Sequence, residues 1–187
     1  MPKKTLKILD IGCGDIPYLK YYTSDLKKNK IFLIGIDPDI KIISLAQIKA
    51  IRYGVTKNIV LKKMTAENLK FKHFFFDYIF LFNTYAHLNN VDKSFKEVFR
   101  VLRDGGAIFL RDSYDFPDSV RFIRNMHKNN HTATHVIEKL KENYFSIRYI
   151  NENRECDKVY WRIVAMKNTF GYKINKKIEK DFKNRKI

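Results

Sequence analysis

An apolar strand running into Asp-x-Gly-x-Gly constrains this chain more than any other feature: Leu9-Asp10-Ile11-Gly12-Cys13-Gly14-Asp15. Gly12 and Gly14 carry no Cβ, so the backbone can turn sharply there and lie close against a ligand. The helix expected next, over residues 17–28, points its N-terminus at the same place. A second apolar strand, Ile31 to Ile36, then ends in Asp37, about twenty residues beyond the glycines, where an acid can accept hydrogen bonds from both hydroxyls of a ribose. The two strand ends together predict a site for an adenosine-containing cofactor. The alternative for Asp37 is a plain helix N-cap ahead of Pro38.

Strand-like and helix-like periodicities alternate along the rest of the chain, as a parallel sheet with crossover helices requires. Strands are expected at 6–11, 31–36, 58–62, 78–82 and 107–111. A helix after Asp39 carries Ile42, Ile43, Leu45, Ala46 and Ile48 inward and stops at Gly54. Another, over 91–102, shows Phe95, Val98, Phe99 and Leu102 at helical spacing, with Gly105-Gly106 as its stop. Helical segments follow near 119–128 and 132–142, then strands at 145–150 and 159–166. At 187 residues this is one domain with one core.

Leu-Asp-Ile-Gly-Cys-Gly followed by Ile-Gly-Ile-Asp-Pro-Asp resembles the first two motifs of class I S-adenosylmethionine-dependent methyltransferases. The likeness continues through Asp77-Tyr-Ile-Phe-Leu-Phe-Asn83. Phe95-Lys-Glu-Val-Phe-Arg-Val-Leu-Arg-Asp-Gly-Gly106 is similar to the helix and turn of the ubiquinone-biosynthesis-like branch. The resemblance spans about residues 8–110. It implies an α/β, Rossmann-like methyltransferase fold: a seven-stranded, mostly parallel sheet with a C-terminal antiparallel hairpin and helices on both faces. It also implies S-adenosyl-L-methionine as cofactor.

Carried over residue by residue, the resemblance puts Gly12, Cys13 and Gly14 at the methionine half of the cofactor, with Asp10 near its amino group. Asp37 takes the ribose, and Pro38 or Ile40 flanks the adenine. The Ala66 N–H meets the ring, and Glu67 stands near the exocyclic amine or is a solvated loop acid. Asn83 and Thr84 face the methyl. Tyr85 lies against the sulfonium or the acceptor, as aromatic faces attract cations, or else packs in the core. His87 accepts a proton near pH 7 or caps the next helix. Asp112 orients or deprotonates an amine acceptor, or pairs at the surface with Arg111 or Arg121. Ile16 stands where many members have glycine and is expected to add bulk beside the methionine carboxylate. His127, His131 and His135 recur at four-residue spacing, but no Cys or carboxylate joins them at ligand spacing, and no metal is expected.

The chain carries 37 Lys and Arg against 20 Asp and Glu, a net +17, which draws it toward polyanions such as RNA or an acidic protein surface. Coding bias in an AT-rich genome yields the same excess. The densest cluster is a tail at 169–187, following a methyltransferase domain at 1–168. From Lys173 onward the tail has seven basic residues and two acidic ones. Two widely separated cysteines, Cys13 and Cys156, fit a reducing, cytoplasmic interior. There is no signal-peptide pattern ahead of the first strand and no long apolar run to span a membrane. Only about five residues precede that strand, so a cover over the cofactor is expected from residues 112–143, the tail or a partner. The leading reading is methyl transfer to an N or O acceptor on RNA or protein. The alternatives are a non-catalytic subunit that scaffolds a partner enzyme, and an mRNA-cap or small-molecule methyltransferase.

Overall fold

Alternation along β1 (Leu6–Ile11) sorts the core into two layers. Leu9 and Ile11 face one side and Ile8 the other, because successive strand side chains point to opposite faces. The computed structural model describes residues 4–115, 132–155 and 158–173. After β1 come α1 (Leu19–Lys27), β2 (Ile31–Asp37), α2 (Ile40–Tyr53), β3 (Ile59–Lys63) and β4 (Phe76–Phe82). A 3₁₀ turn (Tyr85–His87) leads to α3 (Val91–Val101), β5 (Leu102–Asp115), α4 (Ala133–Glu142), β6 (Phe145–Glu155) and β7 (Lys158–Lys167).

The strands form one seven-stranded sheet in the order β3-β2-β1-β4-β5-β7-β6. The first five are parallel, and β7 pairs antiparallel with both β5 and β6. Leu19 and Leu26 of α1 and Ile43, Ala46 and Ala50 of α2 bury one face with Ile8 and Leu33. The opposite face takes Phe95, Val98 and Phe99 of α3 and Val136 and Leu140 of α4, over Leu9, Ile11 and Leu81. The expected fold class is the one observed. No helix among the described residues is long and apolar enough to cross a membrane.

Three local expectations need correction. Leu45 and Ile48 are not inward: they are 54% and 49% exposed, because the stripe of α2 that meets the sheet is only as wide as Ile43, Ala46 and Ala50. Helix α3 ends at Val101, ahead of Gly105-Gly106. Leu102 is fully buried and pairs with Phe76, and Arg103 reaches the buried Asp77 carboxylate at 2.5 Å, so the chain rejoins the sheet before the glycines. Finally, residues 169–173 form a helical turn whose Tyr172 ring lies 5.0 Å from Phe99 and 5.2 Å from Tyr144. The first residues of the expected tail therefore pack on the domain. The segment 119–128, His127, His131, Cys156 and residues 174–187 lie outside the described residues.

The Glu97-x-x-Arg100 pair of the branch motif fastens the β3–β4 connection. Arg100 donates to the carbonyls of Leu69 and Phe71 and binds Glu97 at 2.7 Å, and Glu97 accepts the Leu69 N–H. The Arg100 guanidinium holds the Glu97 carboxyl below its usual range. This clamp steadies the loop that carries Ala66 and Glu67.

Candidate cofactor and acceptor site

The C-terminal ends of β1, β2, β3 and β4 converge on a cleft of about 260 Å³, where open α/β sheets bind their ligands. Its walls include Gly12, Asp37, Pro38, Ala66, Glu67, Asn83, Thr84 and His87, so eight of the residues singled out in the sequence meet in one place.

The loop after β1 is held by β2, whose Ile36 carbonyl accepts the N–H groups of both Gly12 and Cys13. Gly12 has φ +66°, and a Cβ there would stand 2.4 Å from the Thr84 Oγ1. Thr84 is itself fixed, because its hydroxyl lies 3.0 Å from the carbonyl oxygens of Ile11 and Phe82. The loops after β1 and β4 therefore interlock across a position where only glycine fits. Nothing in the sequence signals this pairing, which brings together residues from different strands.

Asp37 accepts the Gly14 N–H at 3.2 Å and the Asp39 N–H at 2.9 Å. A carboxylate offers about four lone-pair directions, so capacity remains for ribose hydroxyls. The helix-cap alternative falls to its neighbour: the α2 N-cap is Asp39, whose side chain accepts from Lys41. Asn83 adopts φ +54° at the end of β4, a left-handed conformation that asparagine tolerates, and its N–H donates to the Arg111 carbonyl.

Glu67 lines the cleft while its Oε1 accepts from the N–H groups of Asn89 and Asn90. Burial pushes this carboxyl up, but the N–H groups of Glu67, Asn90 and Asn89 and the Thr65 hydroxyl outweigh it and hold it below its usual range. It is thus a loop-ordering acid as well as a wall of the cleft.

Several expected site residues lie elsewhere. Tyr85 is 1% exposed and its ring packs 6.0 Å from Phe95. The turn after Asn83 directs it into the core, so it does not face the cleft. The Cys13 thiol is likewise buried, against the bare Cα of Gly35, and burial followed by Asp10 and Asp37 raises its pKa. Only its backbone is left to border a ligand at the turn after β1. Ile16 is 3% exposed and packs in the core under α1 despite φ +51°. Gly14 adds its N–H to Asp37 without lining the cleft.

Asp10 lies behind the loop, facing a small void bordered by Ile16, Tyr18, Tyr22, Phe80 and Phe82. Burial and then the Asp37 carboxylate push it up to about 7. A carboxyl with a raised folded-state pKa contributes stability that is fully present below about 4 and lost as pH rises through about 7. Denaturant midpoints of the ligand-free protein are therefore expected to fall between pH 6 and pH 8, and Asp10→Asn to flatten that slope. An unchanged slope in the variant would refute the assignment to Asp10.

Asp112 is buried and borders a second, polar cleft of about 400 Å³. Asn83 belongs to the walls of both clefts. His135 stacks edge-on to Tyr85 at 6.5 Å. Among the described residues, no group of three or more His, Cys, Asp or Glu side chains is arranged to hold a metal ion.

A Gly-rich turn, an acid at the end of β2 and a seven-stranded sheet ending in an antiparallel hairpin define a Rossmann-like α/β domain. The chain belongs to the methyltransferase-domain family, whose model, described as "Methyltransferase domain", matches residues 9–110, more than half of its length. It is 25% identical over 160 residues to the protein RP028 of Rickettsia prowazekii (strain Madrid E), covering 82% of this chain and 62% of that one. It is also 25% identical over 153 residues to the ubiquinone/menaquinone biosynthesis C-methyltransferase UbiE of Wigglesworthia glossinidia brevipalpis, covering 79% of this chain and 58% of the relative. The chain thus spans about three-fifths of the length of these two relatives. Among solved structures, the [4+2]-cyclase SpnF superposes with a TM-score of 0.76 at 16% identity, over 89% of this chain and 76% of that one. At that identity the likeness speaks to fold alone.

Proposed function

We propose that this chain transfers the methyl group of S-adenosyl-L-methionine to an acceptor seated beside Asn83. The observation that carries the reading is the convergence of Gly12, Asp37, Ala66 and Asn83 on one cleft. The interlock of Gly12 with Thr84 shapes the cleft wall, and the spare acceptor capacity of Asp37 suits the cofactor's ribose. When bound, the cofactor supplies an already activated methyl on a cationic sulfur, so the protein's task is alignment.

In this reading Asp37 grips the ribose, and Pro38, Met64 and Ala66 flank the adenine. The backbone at Gly12 and Cys13 follows the methionine half, and Asp10 behind it answers the amino group. Asn83 and Thr84 border the methyl. His87, exposed at the rim, takes a proton from the acceptor where one must leave, and Asp112 orients the acceptor from the neighbouring cleft.

An N or O acceptor on RNA or protein is supported by the net charge of +17. A carbon acceptor is the second reading, favoured by the likeness to UbiE, a C-methyltransferase by name. The scaffold alternative would not require an intact Gly12–Asp37 arrangement.

Thermal unfolding with and without cofactor tests the reading. At a hundredfold excess over the dissociation constant, S-adenosylmethionine or S-adenosylhomocysteine is expected to add about 2.7 kcal/mol, which raises the Tm by about 5–10 °C. No shift with either ligand would overturn it in favour of a scaffold.

A further inference from the structure

The polar cleft beside the cofactor site carries a charge arrangement that packing alone does not explain. Arg111 of β5 and Arg162 of β7 are directly opposite in an antiparallel ladder, so both side chains leave the same face of the sheet. Like charges in that position destabilise the pair. Neither guanidinium has a carboxylate partner among the described residues. Arg111 donates to the Tyr18 hydroxyl and lies 4.9 Å from the Tyr18 ring and 5.6 Å from the Phe82 ring, which fixes its plane. Most of its five N–H donors have no partner among the described residues. Arg162 is exposed, and its guanidinium makes no hydrogen bond or ion pair among the described residues.

Apart from Asp112, the groups around the two arginines are neutral and polar. Asn151 is opposite Arg162 on β6, Tyr160 is opposite Ser113, and Asn153 is opposite Tyr160. The acid in the wall, Asp112, turns to its own strand, its Oδ1 accepting the Ser113 N–H at 2.9 Å. Asn83 joins this cleft to the cofactor cleft.

We propose that Arg111 and Arg162 form an oxyanion subsite that holds a phosphate group of the methyl acceptor, next to the cofactor. The inference rests on the methyl-transfer reading. Guanidinium groups present planar forks of donors that match phosphate oxygens two at a time. A bound phosphate also removes the repulsion between the two arginines, and the amides and hydroxyls around them offer further donors. The phosphate belongs either to a nucleic-acid backbone or to a small phosphorylated acceptor.

The test uses the full chain saturated with S-adenosylhomocysteine and follows inorganic pyrophosphate by calorimetry. Arg162→Gln is expected to weaken pyrophosphate binding about tenfold or more, while S-adenosylhomocysteine binds as to the wild type. Lys57→Gln, an equal loss of charge on an exposed loop, is expected to change neither. Wild-type affinity in Arg162→Gln, or an equal loss in Lys57→Gln, would overturn the subsite. Failure of the wild type to bind S-adenosylhomocysteine would instead overturn the methyl-transfer reading, and with it the cleft's role as acceptor subsite. A single-stranded RNA of about 12 nucleotides separates the two sources. If Arg162→Gln weakens it and pyrophosphate displaces it, the phosphate is that of a nucleic acid. If RNA is indifferent while pyrophosphate responds, the acceptor is a small phosphorylated molecule.

Discussion

Gly12→Ala is expected to abolish cofactor binding and to lower the stability of the ligand-free protein by about 3 kcal/mol or more. Two costs add at this position. The residue sits at φ +66°, where an L side chain is strained. The new methyl would also stand 2.4 Å from Oγ1 and 2.6 Å from Cγ2 of Thr84. Thr84 cannot swing aside without leaving the carbonyls of Ile11 and Phe82, so the loop after β1 must move, and the cleft wall moves with it.

Gly14→Ala is the informative contrast. Gly14 has φ +55°, but a Cβ there meets nothing within 4 Å. It should cost only the conformational strain, about 1–2 kcal/mol, in ligand-free denaturant unfolding. Adding Thr84→Ala to Gly12→Ala removes the two nearest clashing atoms and should recover part of the lost stability. Equal losses from the two single glycine variants, with no recovery in the double variant, would show that collision with Thr84 is not the cause.

Asp37→Ala is expected to weaken S-adenosylmethionine binding by about a hundredfold or more while the sheet stays folded. Hydrogen bonds to a charged group are worth about 1.5–3 kcal/mol each, and the ribose would lose two. The loop would also lose the acceptor for the N–H groups of Gly14 and Asp39, so a modest fall in Tm should accompany the effect. Asp37→Asn isolates the charge. Burial is the first cause of the raised Asp10 pKa and the Asp37 carboxylate the second. Neutralising Asp37 should therefore bring Asp10 down from about 7 only part of the way, as carboxyl NMR titration would register. Calorimetry reads the affinity, and wild-type binding by Asp37→Ala would remove the basis of the cofactor site.

The strand ends that form the candidate cofactor cleft are readable because their signals are local. An apolar run that stops at Asp-x-Gly, or at an acid followed by proline, reports a backbone path from neighbouring residues alone. Gly12 and Asp37 carry such signals, Ala66 and Asn83 follow from the family resemblance, and all four line the cleft. Tyr85, for which the sequence leaves both the sulfonium and the core open, shows the opposite case. It lies two residues past Asn83, yet a left-handed residue and a 3₁₀ turn rotate its ring into the core, and spacing alone does not encode that rotation. Leu45 and Ile48 failed similarly: they are apolar and at helical spacing, but α2 meets the sheet over a narrow stripe.

Local sequence was sufficient for the strand-and-helix alternation and for the positions of the glycine turn and the acid after β2, because periodicity and turn chemistry act over a few residues; the closing hairpin follows from the family resemblance. The tertiary structure alone decided that Thr84 locks Gly12, that Glu97 and Arg100 clamp the loop bearing Glu67, and that Arg111 meets Arg162 across a ladder. Each of these joins residues distant in the chain, and the register that brings them together depends on how the whole sheet closes.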